Sequence, residues 1–223
     1  SLAISILPLD DQEEAFALFK LSASGHFFVG VQKRRASNVL SIYKAVSAES
    51  DALPSDSNNM DVMKPAMRFY LHSKAILDVV TLQRDGNEYA IALSECKTLS
   101  VFCLSDCTCK RVVQLDQEGR CEHMAVNEEK GWILVASNSG TVCCYDVPDL
   151  RVCFSLVTHI PGSVYSLQLD HNDSDVLYML NSNGVIATMH LQQQKVTGSV
   201  VLREEPQAAV EGESYNAMCW LGD

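Results

Sequence analysis

One strand-like segment recurs along the chain at a nearly fixed interval. Its copies are Val39-Leu40-Ser41-Ile42-Tyr43, Thr98-Leu99-Ser100-Val101-Phe102, Thr141-Val142-Cys143-Cys144-Tyr145 and Val185-Ile186-Ala187-Thr188-Met189. The closing residues Tyr43, Phe102, Tyr145 and Met189 are 59, 43 and 44 positions apart. A polar stretch within 48–65, rich in Asp, Glu, Ser and Asn, accounts for the longer first interval. A period of about 40 to 45 residues means that each unit is one small sheet that cannot bury both faces alone and must stack on its neighbours.

Two further strand sets keep the same register. One comprises Phe27–Val31, Tyr89–Leu93, Trp132–Ala136 and Val176–Leu180. The other comprises Phe16–Phe19, Ile76–Val80, Cys121–Val126 and Val164–Leu167, with a fifth copy at Tyr215–Trp220. Leu150–Val157 and Lys195–Leu202 supply a fourth strand to their units. Gly, Asn, Asp and Ser clusters separate these runs, and no stretch holds a helical period. The chain therefore reads as all-β, a β-propeller of four-stranded blades. The expected division is blade 1 over 14–47, a polar acidic insertion over 48–65, blade 2 over 66–115, blade 3 over 120–157, blade 4 over 163–202 and the first strand of a further blade over 214–223. Four blades and the start of a fifth are fewer than such propellers usually close with, so further blades from the same polypeptide or from a partner are expected to complete the disc.

The third unit carries a family signal. Asn138-Ser139-Gly140-Thr141-Val142-Cys143-Cys144-Tyr145-Asp146 resembles the WD repeat, with a glycine turn, an apolar strand and an aromatic-Asp pair; Thr158-His159 and Asn183-Gly184 echo it elsewhere. Phe102-Cys103, Tyr43-Lys44 and Met189-His190 depart from the Trp-Asp pair, so the resemblance is to a degenerate WD-like propeller. It implies a subunit of a multiprotein complex that offers loops to partner proteins. The loop residues expected to do so are Ser73, Lys74 and Arg120, together with Thr158, His159, Ile160, Pro161 and Gly162.

Charge and cysteine usage narrow the function further. The net charge of −11 opposes a phosphate backbone, and the one dense basic cluster is Lys33-Arg34-Arg35. That cluster, followed by Ser37, reads as an exposed turn; the competing readings are a phosphorylation site or a phosphate contact in a nucleic-acid complex. Nine cysteines, odd in number and set mostly in apolar runs, point to reduced thiols and to the nucleus or cytoplasm. The adjacent Cys143 and Cys144 are expected on opposite faces of a strand. Cys103, Cys107 and Cys109 fall close together without the spacing of a zinc knuckle, so no metal is assigned. No phosphate loop, nucleophile elbow or dinucleotide fingerprint occurs, and neither an enzyme nor a cofactor is expected. No apolar run is long enough for a membrane helix.

Overall fold

The computed structural model describes residues 16–33, 38–44, 66–71, 74–160 and 162–202. These residues form four antiparallel sheets of four strands each and no helix. The first sheet contains β1 (Phe16–Leu21), β2 (Phe27–Lys33), β3 (Asn38–Lys44) and β4 (Met67–Leu71). The second contains β5 (Ile76–Arg84), β6 (Asn87–Ser94), β7 (Thr98–Cys103) and β8 (Thr108–Gln114). The third is β9 (Cys121–Asn127), β10 (Trp132–Ser137), β11 (Thr141–Asp146) and β12 (Arg151–Val157). The fourth is β13 (Val164–Leu169), β14 (Val176–Asn181), β15 (Val185–His190) and β16 (Lys195–Val201). Every sheet is a meander in chain order.

The three strand sets legible as repeats are thus the first, second and third strands of each sheet. The expected boundary between the first two units needs correction. Met67–Leu71, assigned to the second unit at 66–115, pairs with β3 through Asn38↔Leu71, Leu40↔Phe69 and Ile42↔Met67 and completes the first sheet. Segment 48–65 therefore connects two strands of one sheet instead of separating two units. The pairing follows from packing: Phe69 turns toward the second sheet, where its ring meets Phe102 at 4.6 Å between centroids. Residues 48–65 and 214–223 themselves lie outside the described residues.

The sheets stack in sequence order, with β1 against β5, β5 against β9 and β9 against β13. Each junction holds its own core. Val29, Leu40, Ile42, Val79, Ala92 and Phe102 fill the first; Ile91, Leu99, Val101, Ile133, Val135 and Tyr145 the second; Leu134, Val142, Phe154, Leu177, Met179 and Met189 the third. Strands sandwiched between two sheets bury both faces, and β7 is buried along its whole length. That is why these strands read as continuous apolar runs where a half-exposed sheet would alternate. Outer strands such as β8 and β16 are exposed nearly throughout. Cys143 and Cys144 illustrate the period of two, because the first enters the core shared with the second sheet and the other the core shared with the fourth.

Polar ties hold the stack in register. Near the start of the first strands, Asp78 accepts the Met124 N–H at 2.9 Å and Glu122 accepts that of Val164 at 2.6 Å, each carboxylate reaching into the next sheet. Burial raises the Asp78 carboxyl above its ordinary value, opposed by the Met124 N–H and by the charges of His123 and Lys20. At the far end of these strands, Glu88 of the second sheet accepts the Ser24 N–H and hydroxyl at 2.9 and 2.8 Å. Arg84 reaches Asp146 at 2.6 Å and also donates to the Val147 carbonyl. Lys130 pairs with Asp175, and Asn127 donates to the Ser174 carbonyl at 2.7 Å. Each tie crosses a sheet junction.

Candidate interaction surface

The described residues that lead into β5, β9 and β13 lie at one end of their sheets, beside the turns that join second strands to third. Asn138 organises the best-defined part. Its side-chain oxygen accepts the Arg120 N–H at 2.8 Å, its own N–H donates to the Arg120 carbonyl at 2.9 Å, and its carbonyl accepts the Gly162 N–H at 3.1 Å. Gly140 follows with φ of +80°, and a Cβ there would stand 2.8 Å from both the Ile160 carbonyl oxygen and the Thr158 hydroxyl. The close approach demands glycine. Thr158 then donates its hydroxyl to the Gly140 carbonyl at 2.8 Å and accepts the Ile160 N–H at 3.2 Å.

This network sorts the residues expected to contact partners. Lys74, Arg120 and His159 are exposed at this end, Ile160 and Gly162 are half-buried, and Thr158 is buried at 5% exposure with its hydroxyl committed to the fold. Thr158 is a fastening of the loop. Ser73 and Pro161 lie outside the described residues, as do Arg34, Arg35 and Ser37; Lys33 closes β2 opposite Asn38. Asp146, the acid of the aromatic-Asp pair, takes the ion pair with Arg84 and a second at 3.5 Å from Arg151.

The thiols diverge. Cys103 is buried in the core between the second and third sheets, Cys107 packs against the core on the opposite side, and Cys109 is exposed. Among the described residues no group of three His, Cys, Asp or Glu side chains is placed to hold a metal. The eight cysteines among these residues are free thiols. Burial pushes the Cys121 thiol up to about 11 and the Cys144 thiol higher still. At Cys96 burial also raises the thiol, but hydrogen bonds with the Ser94 hydroxyl at 2.9 Å and the Thr98 hydroxyl at 3.2 Å outweigh it and hold it below the ordinary value.

Comparison with protein-family models and with curated proteins finds no match. Function must therefore be read from the surface itself.

A second surface feature was missed at the level of sequence. Between the outer strands of the second and third sheets runs a cleft of about 510 Å³. One wall is β12, with Val152, Ser155 and Val157; the other is Val113 and Gln114 of β8 with Asp116 and Glu118 beyond it; Cys143, Tyr145 and Leu150 line the depth. A bulge opposite Cys144 and Tyr145 sets the β12 register, so that Val152, Ser155 and Val157 face the cleft while Phe154 and Leu156 face the fourth sheet. The signal available in sequence was that Arg151–Val157 is apolar at both parities of an outer strand.

Proposed function

We infer that the chain is part of a WD-like β-propeller and works as a non-catalytic platform in a multiprotein complex inside the cell. The observation that carries this reading is the stack of four meander sheets, set side by side by their first strands, with Lys74, Arg120 and His159 exposed at one end, where Asn138 ties Arg120, the Asn38 side chain donates to the Lys74 carbonyl, and Thr158 and Ile160 fasten the residues beside His159. Such an end presents side chains from rigid loops, which lowers the entropy lost on binding a partner. Three carboxylates serve to fasten the sheets to one another: Asp78 and Glu122 accept backbone N–H groups, and Asp146 is paired with Arg84. Free thiols, four of the eight described ones buried, agree with a reducing compartment. Among the described residues no helix is long and apolar enough to cross a membrane.

The experiment replaces Lys74, Arg120 and His159 together by Ala in the full-length protein and compares quantitative co-purification of its stable partners with that of the parent. A loss of one or more partners with an unchanged Tm is expected. Retention of every partner overturns this end as the contact surface. Salt-sensitive capture of RNA or DNA in place of protein partners would support a nucleic-acid platform instead.

A further inference from the structure

The cleft between the second and third sheets is distinct from the end loops in both shape and chemistry. Its β12 wall carries Val152 at 63% exposure and Val157 at 51%, two branched side chains left in water on a strand whose opposite face is sealed. Its uncharged polar side chains are already engaged from within. The Cys143 thiol donates to the Ser155 hydroxyl at 3.3 Å, Gln117 donates to the Val135 carbonyl at 3.3 Å and accepts from Cys121 at 3.1 Å, and Gln114 donates to the Cys96 carbonyl at 2.8 Å. The walls thus offer a visitor apolar contact more than open hydrogen bonds.

Charge enters at one end. Asp116 and Glu118 stand in the connection from β8 to β9, both exposed, and among the described residues no ion pair engages either carboxylate; the Lys97 ammonium lies beside them, donating to the intervening Gln117 carbonyl at 2.8 Å. They lie at the Val157 end, since Val157 pairs with Thr141 at the start of β11 and Ser139, which precedes it, donates to the Glu118 carbonyl at 3.0 Å. From Val152 to Val157 the wall runs for roughly 16 Å, the length of about six extended residues. The apolar strip therefore leads to an acidic end.

We propose that this cleft takes an extended segment of a partner protein, with branched aliphatic side chains seated on Val152, Val157 and Leu150 and a Lys or Arg reaching Asp116 and Glu118. The aliphatic groups gain burial against a wall that the fold leaves wet. The cation meets two carboxylates in a chain whose net charge is −11, which favours both its approach and its orientation. Because the cleft is open along its outer side, the backbone of the segment keeps its water and no buried polar group is orphaned. This inference extends the platform reading with a second site, and the two stand or fall separately in the test.

The test pans a display library of random dodecapeptides against the intact chain and measures the selected peptides by fluorescence anisotropy. The panel is the parent, Val152→Glu, the double variant Asp116→Lys with Glu118→Lys, and an end-loop variant with Lys74→Ala and His159→Ala. The expected peptides combine branched aliphatic residues with a Lys or Arg. They bind Val152→Glu and the charge-reversed variant about tenfold or more weakly, and the end-loop variant as well as the parent. Val152 is surface-exposed, so its variant keeps the parent Tm, which is checked alongside. Peptides that lose binding only to the end-loop variant overturn the cleft and leave the platform standing; failure to enrich any peptide overturns the cleft. Sedimentation that shows a dimer of the parent and a monomer of Val152→Glu also overturns it, by assigning the cleft to a second copy of this chain.

Discussion

The third sheet meets its two neighbours in different ways. Toward the fourth sheet it is closed from the first strand to the last: β12 rests on β16, Phe154 and Leu156 are 9% and 4% exposed, and the Trp132 ring meets Phe154 edge-on at 5.6 Å. Toward the second sheet it is closed at the inner strands and open at the outer ones, where the cleft begins. Side-chain volume at matching positions explains the difference. On the closed face the third and fourth strands carry Val142, Cys144, Phe154 and Leu156; on the open face they carry the smaller set Thr141, Cys143, Val152, Ser155 and Val157, with Tyr145 deep in the junction. Without a large residue near the rim, the sheets diverge and no core forms there. An open cleft arises where a repeat stops filling its own junction.

This contrast can be broken by mutation. Phe154→Ala should remove the largest wedge of the closed junction and lower stability by about 3 to 4 kcal/mol, measured by urea denaturation. Val152→Ala, two residues away on the same strand, should cost less than about 0.5 kcal/mol, because its side chain is in water in the unbound protein. Equal effects would show that both junctions are closed in solution.

The open junction has its own fastening in Arg84, which ties the second sheet to Asp146 and the Val147 carbonyl. Arg84→Met keeps much of the side-chain stem and removes the charge. A loss of about 1 to 2 kcal/mol is expected, the ionic part of it reduced in added salt. A loss as large at high salt would make the guanidinium a packing element.

The smallest effect is chemical. Alkylation by iodoacetamide requires the thiolate, so a depressed thiol reacts at lower pH and a raised one only as pH climbs toward its higher value. Cys96 should label first as pH is raised, and exposed Cys109 and Cys153, whose thiols burial pushes up, later. Cys121 and Cys144 should stay unlabelled in the folded protein. Mass spectrometry of labelled peptides reads the order, and early labelling of Cys144 would mean that the closed junction opens.

Much of the strand pattern was visible in the sequence because position in the stack dictates composition. Strands with sheets on both sides, such as Tyr89–Leu93 and Thr98–Phe102, are apolar without alternation, and that signature needs no partner to be seen. Met67–Leu71 was misassigned because the polar stretch before it resembled a unit boundary, whereas its place is set by pairing with Asn38–Lys44. The exposed Lys74, Arg120 and His159 followed from the period, since every unit must return to the same end. Thr158 was read as a contact because its burial depends on Gly140, a neighbour in space eighteen positions earlier. The cleft was invisible for a related reason: it is defined by how far two sheets splay, and neither β8 nor β12 alone encodes that gap.

The carboxylates of Asp78 and Glu122 give the repeat a directional grammar. The second unit serves the third and the third serves the fourth, each lending a carboxylate acceptor to a backbone N–H of the next, at Met124 and at Val164. Such modules are not interchangeable beads. A graft, duplication or deletion cut through the connection at 115–120 would separate donor from acceptor and orphan a backbone group, at a cost of about 1 to 3 kcal/mol. Successful splices should carry the acidic residue of the preceding unit along with the strand it serves, so the transferable block begins inside one sheet and ends inside the next.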